Sequence, residues 1–432
     1  MRNAEDYGFS IYNNADDNSA ALNKAVAKGG DVYITAPGVY SVSEPVIIGN
    51  DTSIYFGAGV YLKREHCKNT TGYVFVNEGA YTGIQNKNIM IQGLKLFCNG
   101  VESAPAADNN GDKIVPGLRG HISFYHITNL SIRDCQIPDL PAKDFGIHVC
   151  DFENIIIENV RIEGKKDAVH LGCGNKFVIR HGIFKTFDDP IALNAHDYAS
   201  SNPMLGWITD GIIEDCYDLD DDSTTGFFCR ILAGSWCDWQ KGMEIQNSDS
   251  VVCNNTVYRA LMKPDGTVYK SVTPPTHKSG MCIIDGINWV AVQNNQEHSC
   301  GCKNIHFKDI FIEKNRPVAF SVHFDKDNFS RSYYPNSPAP VQENITFENV
   351  IVNKNVSEFL FSITPVDNIK IINSDLGNSF INFKNINTEG IEYNGTNLCF
   401  IGVKSNLCEK DIIKSEDGIE CKSQFFACNF KN

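Results

Sequence analysis

The chain has 432 residues, of which 42% are hydrophobic and 21% charged, with a formal net charge of −14 at pH 7. Those are ordinary globular values, and they exclude wholesale disorder. No run approaches the roughly 18–20 apolar residues of a membrane span. The negative charge also speaks against nucleic acid and anionic membrane as partners, because both need clustered Lys and Arg.

The first ten residues lack the apolar stretch of a signal peptide. The chain as written is therefore expected in the cytoplasm, or outside it if a signal has been cleaved away. The 16 cysteines run from Cys67 to Cys428 without the density of a stapled scaffold. Cys135, Cys216 and Cys253 fall inside strand-like runs, where Cys acts as a small buried hydrophobe, so mostly free thiols are expected. Cys300 and Cys302 have no partner pair at zinc spacing, so no metal site is expected there.

In chain order, Asp16, Asp17, Asn18 and Ser19 offer N-cap side chains, and residues 20–26 continue at helical spacing until Gly29 and Gly30 stop them. Short β runs follow at 32–40, 46–48 and 53–56, with a turn at 57–59. A short helix and β runs would plug one end of a solenoid. From about residue 86 a repeat appears, with units beginning at Asn88, Asn129, Asn154, Asn304, Asn344 and Asn368. Each is an Asn, then alternating apolar residues, then a polar pair, which is the pattern of a strand with one buried face.

Neighbouring copies start at 129, 154 and 175. One turn of a parallel β-helix needs about that length, whereas a propeller repeat of roughly 40–50 residues fits poorly. The expectation is an all-β, right-handed parallel β-helix with a short N-terminal capping helix. The cap and first strands are expected at 1–62 and the helix at 63–395, its functional rungs at 140–235. Terminal rungs and a C-terminal cap would fill 396–432. Residues 194–225 and 259–280 read as loops bulging from single rungs, of the kind that shape a binding cleft.

A second repeat carries the chemistry. Ile147, Val169 and Ile191 are spaced by 22 and 22. They should stack in three rungs about 4.8 Å apart. On that register Asp167 lies directly below Asp189, with Asp188 one residue before it. Three gathered carboxylates raise at least one pKa, so one group can act as an acid while the others orient or deprotonate water. Glycoside hydrolysis requires that division of roles. Clustered carboxylates are also calcium ligands. The acidic run 218–222 reads as a solvated loop and His181 as a turn residue beside Gly182. Trp207, Trp236, Trp239 and Tyr198 fall in loops around these rungs, where aromatic faces can stack on sugars.

Asp167, followed 21 residues on by Asp188 and Asp189 and then by Pro190 to Asn194, resembles the polygalacturonase-type glycoside hydrolases (family 28) of the pectin-lyase-like β-helix group. The resemblance implies that Asp188 is the general acid, that Asp167 and Asp189 activate water, that His170 contacts sugar, and that the anomeric configuration inverts. His148, Asn194, His196, Arg230 and Trp236 are further candidates for substrate binding.

Lys165 and Lys166 stand where the family has Asn-Thr, residues 225–231 replace its His-Gly motif, and no Arg-Ile-Lys motif follows. A neutral or differently charged glycoside is thus as much expected as pectin. No cofactor or metal is expected, and the partner is a carbohydrate. Two other readings stand beside hydrolysis. One is a Ca²⁺-dependent polysaccharide lyase using a basic residue such as Arg230. The other is a non-catalytic, tailspike-like carbohydrate-binding helix.

Overall fold

The computed structural model describes all residues except 1, 67–71, 103–113, 198–199, 222–223, 295–296, 354, 385–395, 417–418, 420 and 432. Tyr198, Cys67 and Asp222 therefore lie outside the described residues. The chain folds as a right-handed parallel β-helix: a large parallel sheet is wound round an axis and nearly closed. Each rung bonds to the next in parallel register, so chemically similar residues stack. One inward column runs from Ile91 through Ile132, Ile157, Ile179 and Ile213 to Phe307 and Phe347. All of these are fully buried. Phe307 and Phe347 stack with centroids 5.2 Å apart.

The repeated Asn marks a bend. Asn129 and Asn154 adopt left-handed φ of 58°, and Asn304 has 56°. Asn tolerates this conformation better than most residues. Their side chains also form a ladder, Asn154 to Asn129 at 2.7 Å and Asn129 to Asn88 at 2.9 Å. The rung after Asn154 departs from expectation by one residue. Ile155 pairs with Phe177, so Lys176, with φ 58°, rather than Asn175 takes the bend. His181 is a bend residue too, at φ 54° and paired with Asp215 at 2.7 Å.

Two further expectations are corrected. The capping helix spans Ala15–Val26 and its N-cap is Asn14, whose side chain accepts from Asp17 N at 2.8 Å. Asp16 and Asp17 sit in its first turn, where their charge suits the helix dipole. Residues 194–225 are not one loop, because Ile208–Asp218 is a full rung strand. That strand pairs directly with Cys302–Ile312, so the real excursion lies between them. It holds its own small sheet, including Ser250–Cys253, Thr256–Ala260 and Ile287–Asn294. This sheet packs on a separate core of Ile245, Val251, Tyr258 and Trp289. The described cysteines are free thiols, and no described helix is long and apolar enough to cross a membrane.

Ile157 touches core on both neighbouring rungs, so Ile157→Ala removes buried methylenes at a site whose ladder hydrogen bonds resist collapse. The expected cost is about 2–5 kcal/mol, read as a lower midpoint in urea unfolding with strand content unchanged before the transition.

Candidate active site

Val169 pairs with Ile191 and Ile191 with Cys229. Two residues earlier on each strand, that register stacks Asp167, Asp189 and Phe227. One residue further back it stacks Lys166, Asp188 and Gly226. Asp167, Asp188 and Asp189 each present an oxygen, and these oxygens lie within 4.8 Å of one another. Among the described residues these are the side chains placed to share a cation. The charge that meets them is Lys166, whose ammonium ion-pairs with Asp188 and lies 3.3 Å from Asp167 Oδ1.

The three carboxyls differ in surroundings. Asp167 and Asp189 are buried, whereas the Asp188 side chain keeps 25% of its surface. Burial, then the neighbouring Asp188 and Asp167, push Asp189 well above the ordinary carboxylate range. Its Oδ1 accepts a hydrogen bond from Phe227 N at 2.7 Å. Burial and the charge of Asp167 also raise Asp188, with Lys166 acting against them. Gly226 is required here: a Cβ would stand 2.5 Å from Asp189 Oδ1 and 2.6 Å from the Asp188 backbone.

His170 is fully buried, and burial followed by the charges of Arg230 and Lys166 holds its pKa well below the usual value. The neutral ring donates from Nδ1 to Asp167 Oδ2 at 2.9 Å. It is stacked on Phe145 at 3.9 Å. His170 therefore orients Asp167. Arg230 lies one rung on, 3.4 Å from both Asp197 and Asp325. Burial works against its charge, but Asp325 and Asp197 more than compensate and raise its pKa. Asn194 is buried, accepting from Arg230 Nε at 3.3 Å and donating to Asp197 at 2.8 Å.

His148, His170, Asn194, His196 and Trp236, expected to contact substrate, are all buried. His148 Nδ1 accepts from Arg119 N at 2.9 Å, and its ring meets His170 edge-on. His196 Nε2 bonds Ser250 Oγ at 3.1 Å. The Trp236 ring has no exposed face for a sugar. Trp239 anchors the excursion through Ser271 at 2.8 Å, and Lys303 covers Trp207 at 4.3 Å.

Asp218 is also a correction. It is not a solvated loop acid but fully buried, with Arg316 Nε at 2.5 Å. Arg316 also donates to Thr224 Oγ1 at 2.9 Å and to Asp188 O at 3.4 Å. This buried pair underpins the turn that presents the aspartates. No local signal marked Arg316, which lies 98 residues from Asp218. The roles of Asp197 and Asp325 on Arg230, and of Phe227 on Asp189, were equally silent, since those partners lie 33, 95 and 38 residues away.

No family model and no curated protein matches the sequence. Solved structures do match in fold. An exopolygalacturonase from Thermotoga maritima aligns at TM-score 0.58 and 12% identity, covering 99% of this chain and 91% of that one. A polygalacturonase from Erwinia carotovora ssp. carotovora aligns at 0.55 and 12%, covering 96% and 95%. PfbA, a surface adhesin of Streptococcus pneumoniae, aligns at 0.49 and 14%, covering 99% and 91%. The fold is thus the polygalacturonase-like, pectin-lyase-like β-helix.

The folded state binds the Asp189 proton more tightly than the unfolded chain does. Ionising that group therefore costs stability as pH rises above the ordinary carboxylate value. Asp189→Asn removes the cost and keeps an acceptor for Phe227 N. Its melting temperature is expected above wild type at pH 7. The gap should close below about pH 3.5, where the wild-type carboxyl is protonated in both states.

Proposed function

We propose that the protein is a glycoside hydrolase acting on a poly- or oligosaccharide. The observation that carries this reading is the gathering of three carboxylates on adjacent rungs, with the partly exposed one raised in pKa. Asp188 then protonates the glycosidic oxygen as the C–O bond breaks. Asp167, oriented by His170, takes a proton from the attacking water, and Asp189 helps hold that water. Inversion is the expected outcome. The nearest oxygens are as close as in retaining pairs, which are usually about 5 Å apart. Two carboxylates placed together to hold one water nonetheless suit inversion better than a lone nucleophile.

The lyase reading loses its base, because Arg230 is held as a cation between Asp197 and Asp325. The non-catalytic reading has one observation in its favour. Lys166 bridges Asp188 and Asp167, as an ion pair that merely closes a turn would do.

A screen of polysaccharides decides among the three, reading new reducing ends and ultraviolet absorbance together, with and without EDTA. Reducing ends without absorbance, insensitive to EDTA, are expected. Asp188→Asn should lower kcat by roughly 10²–10⁴-fold, and proton NMR should show the inverted anomer first. Absorbance lost with EDTA would support the lyase, and saccharide binding with no product would support the binding module.

Lys166 lowers the Asp188 pKa, so Lys166→Met should keep the acid protonated to higher pH. The alkaline limb of the kcat/KM profile is expected to move upward. An unmoved limb would remove Lys166 from the chemistry.

A further inference from the structure

The aspartates sit at a boundary in burial. The outward column of one strand face runs His148, His170, Ala192, Arg230, Ser321 and Phe361, one residue per rung. On the rung N-terminal to the acids, His148 and Phe145 have no exposed surface, and neither do His170 and Ala192 on the acids' own rungs. On the C-terminal side, Phe227, Arg230, Val318 and Phe361 keep part of theirs and Pro317 is exposed, although Ser321 between them is covered.

The cover over the N-terminal side is fastened to both the helix and the excursion. Residues 200–206 lie backbone against backbone on Gly117, where a Cβ would stand 2.6 Å from Asn202 C and Pro203 N. Asn202 Nδ2 donates to Asn194 O at 2.7 Å, tying the cover to the rung that carries the acids. From the excursion, buried Arg259 donates to Asn202 O and, at 3.2 Å, to Asp197 O. Gln293 exchanges two bonds with the Leu205 main chain, at 2.8 and 2.7 Å. These are side-chain to main-chain hydrogen bonds at several points, those of Asn202 and Arg259 buried, which makes a wall rather than a lid.

From this we infer that the cleft is blind on the N-terminal side of the aspartates and that the enzyme cuts at a chain end. The rest of the sugar chain then runs toward the C-terminal rungs over Phe227 and Phe361. The inference rests on the hydrolase reading. The two rings are placed for the role: Phe361 lies two rungs, about 10 Å, beyond Arg230, with the Lys384 ammonium 5.7 Å from its ring centre and able to swing aside on its flexible stem, and Phe227 packs beside His323 at 5.6 Å. Aromatic faces stack on the apolar faces of sugar rings. A chain that crossed the acids would need the space that residues 200–206 and 115–118 fill.

The test uses the full chain and an oligosaccharide ladder, labelled at the reducing end with 2-aminobenzamide. The ladder is prepared from each polysaccharide that releases reducing ends in the screen. The expected result is a product of one small size from the first time point, the parent shortening by that step. Polymer viscosity should fall only in proportion to the reducing ends. A broad ladder of early products with collapsing viscosity would overturn the blind end while leaving hydrolysis intact. No reducing ends from any polysaccharide would overturn the hydrolase reading itself, and this inference with it. Phe361→Ala tests the direction of the chain: kcat/KM should fall roughly tenfold on long chains, and less as the substrate shortens. A loss equal at all lengths, or none, would overturn the proposed path.

Discussion

Everything in this molecule depends on the in-register parallel hydrogen-bond ladder. Adjacent rungs lie about 4.8 Å apart, and the ladder keeps its register apart from local shifts at Ile137–Leu140 and Glu358–Leu360. A residue type repeated at the rung period therefore becomes a column. Inside, the columns are Ile and Phe, and the core is continuous from rung to rung. At the bends they are Asn and Asp at left-handed φ, bonded to one another. On the outer face the same rule brings Asp167 under Asp189.

That last column is costly. Three acids within 4.8 Å repel each other, and burial strengthens the repulsion. The surrounding structure offsets it with opposed charges and donors: Lys166 on two of the acids, Phe227 N on the third, and His170 on Asp167. Below them, the buried Arg316–Asp218 pair holds the turn. Breaking such a pair from one side leaves an uncompensated buried charge. Strain of this kind, retained against stability, is what the proposed acid–base chemistry would draw on.

The excursion between Leu232 and Cys300 helps to wall in one side of the aspartates through Arg259 and Gln293. It leaves from one rung and returns to the next without disturbing the ladder, since Ile208 still pairs with Cys302. Its own small core makes it rigid. Arg259 and Gln293 then reach back to pin the chain beside the acids. The rungs supply the carboxylates, and in the proposed hydrolase the excursion would decide which way a sugar chain leaves them.

The period-2 alternation and the spacings of 22 between Ile147, Val169 and Ile191 were enough to place the solenoid, its columns and the three aspartates. Those features are local, and each rung repeats the same instruction. The rung expected to begin at Asn175 is displaced by one residue because Lys176 fills the Asn position, and the backbone ladder tolerates that exchange. Burial of His148, His196 and Trp236 was not legible, because it depends on chain folding back from residues 200–206 and from the excursion. The partners Asp197, Asp325 and Arg316 were not legible for the same reason. Sequence alone determined the ladder and the acids it stacks, because hydrogen-bond register is a short-range rule. Only the tertiary structure decided which side chains stay open to solvent and how each acid is balanced, because burial and charge depend on what the rest of the chain brings near.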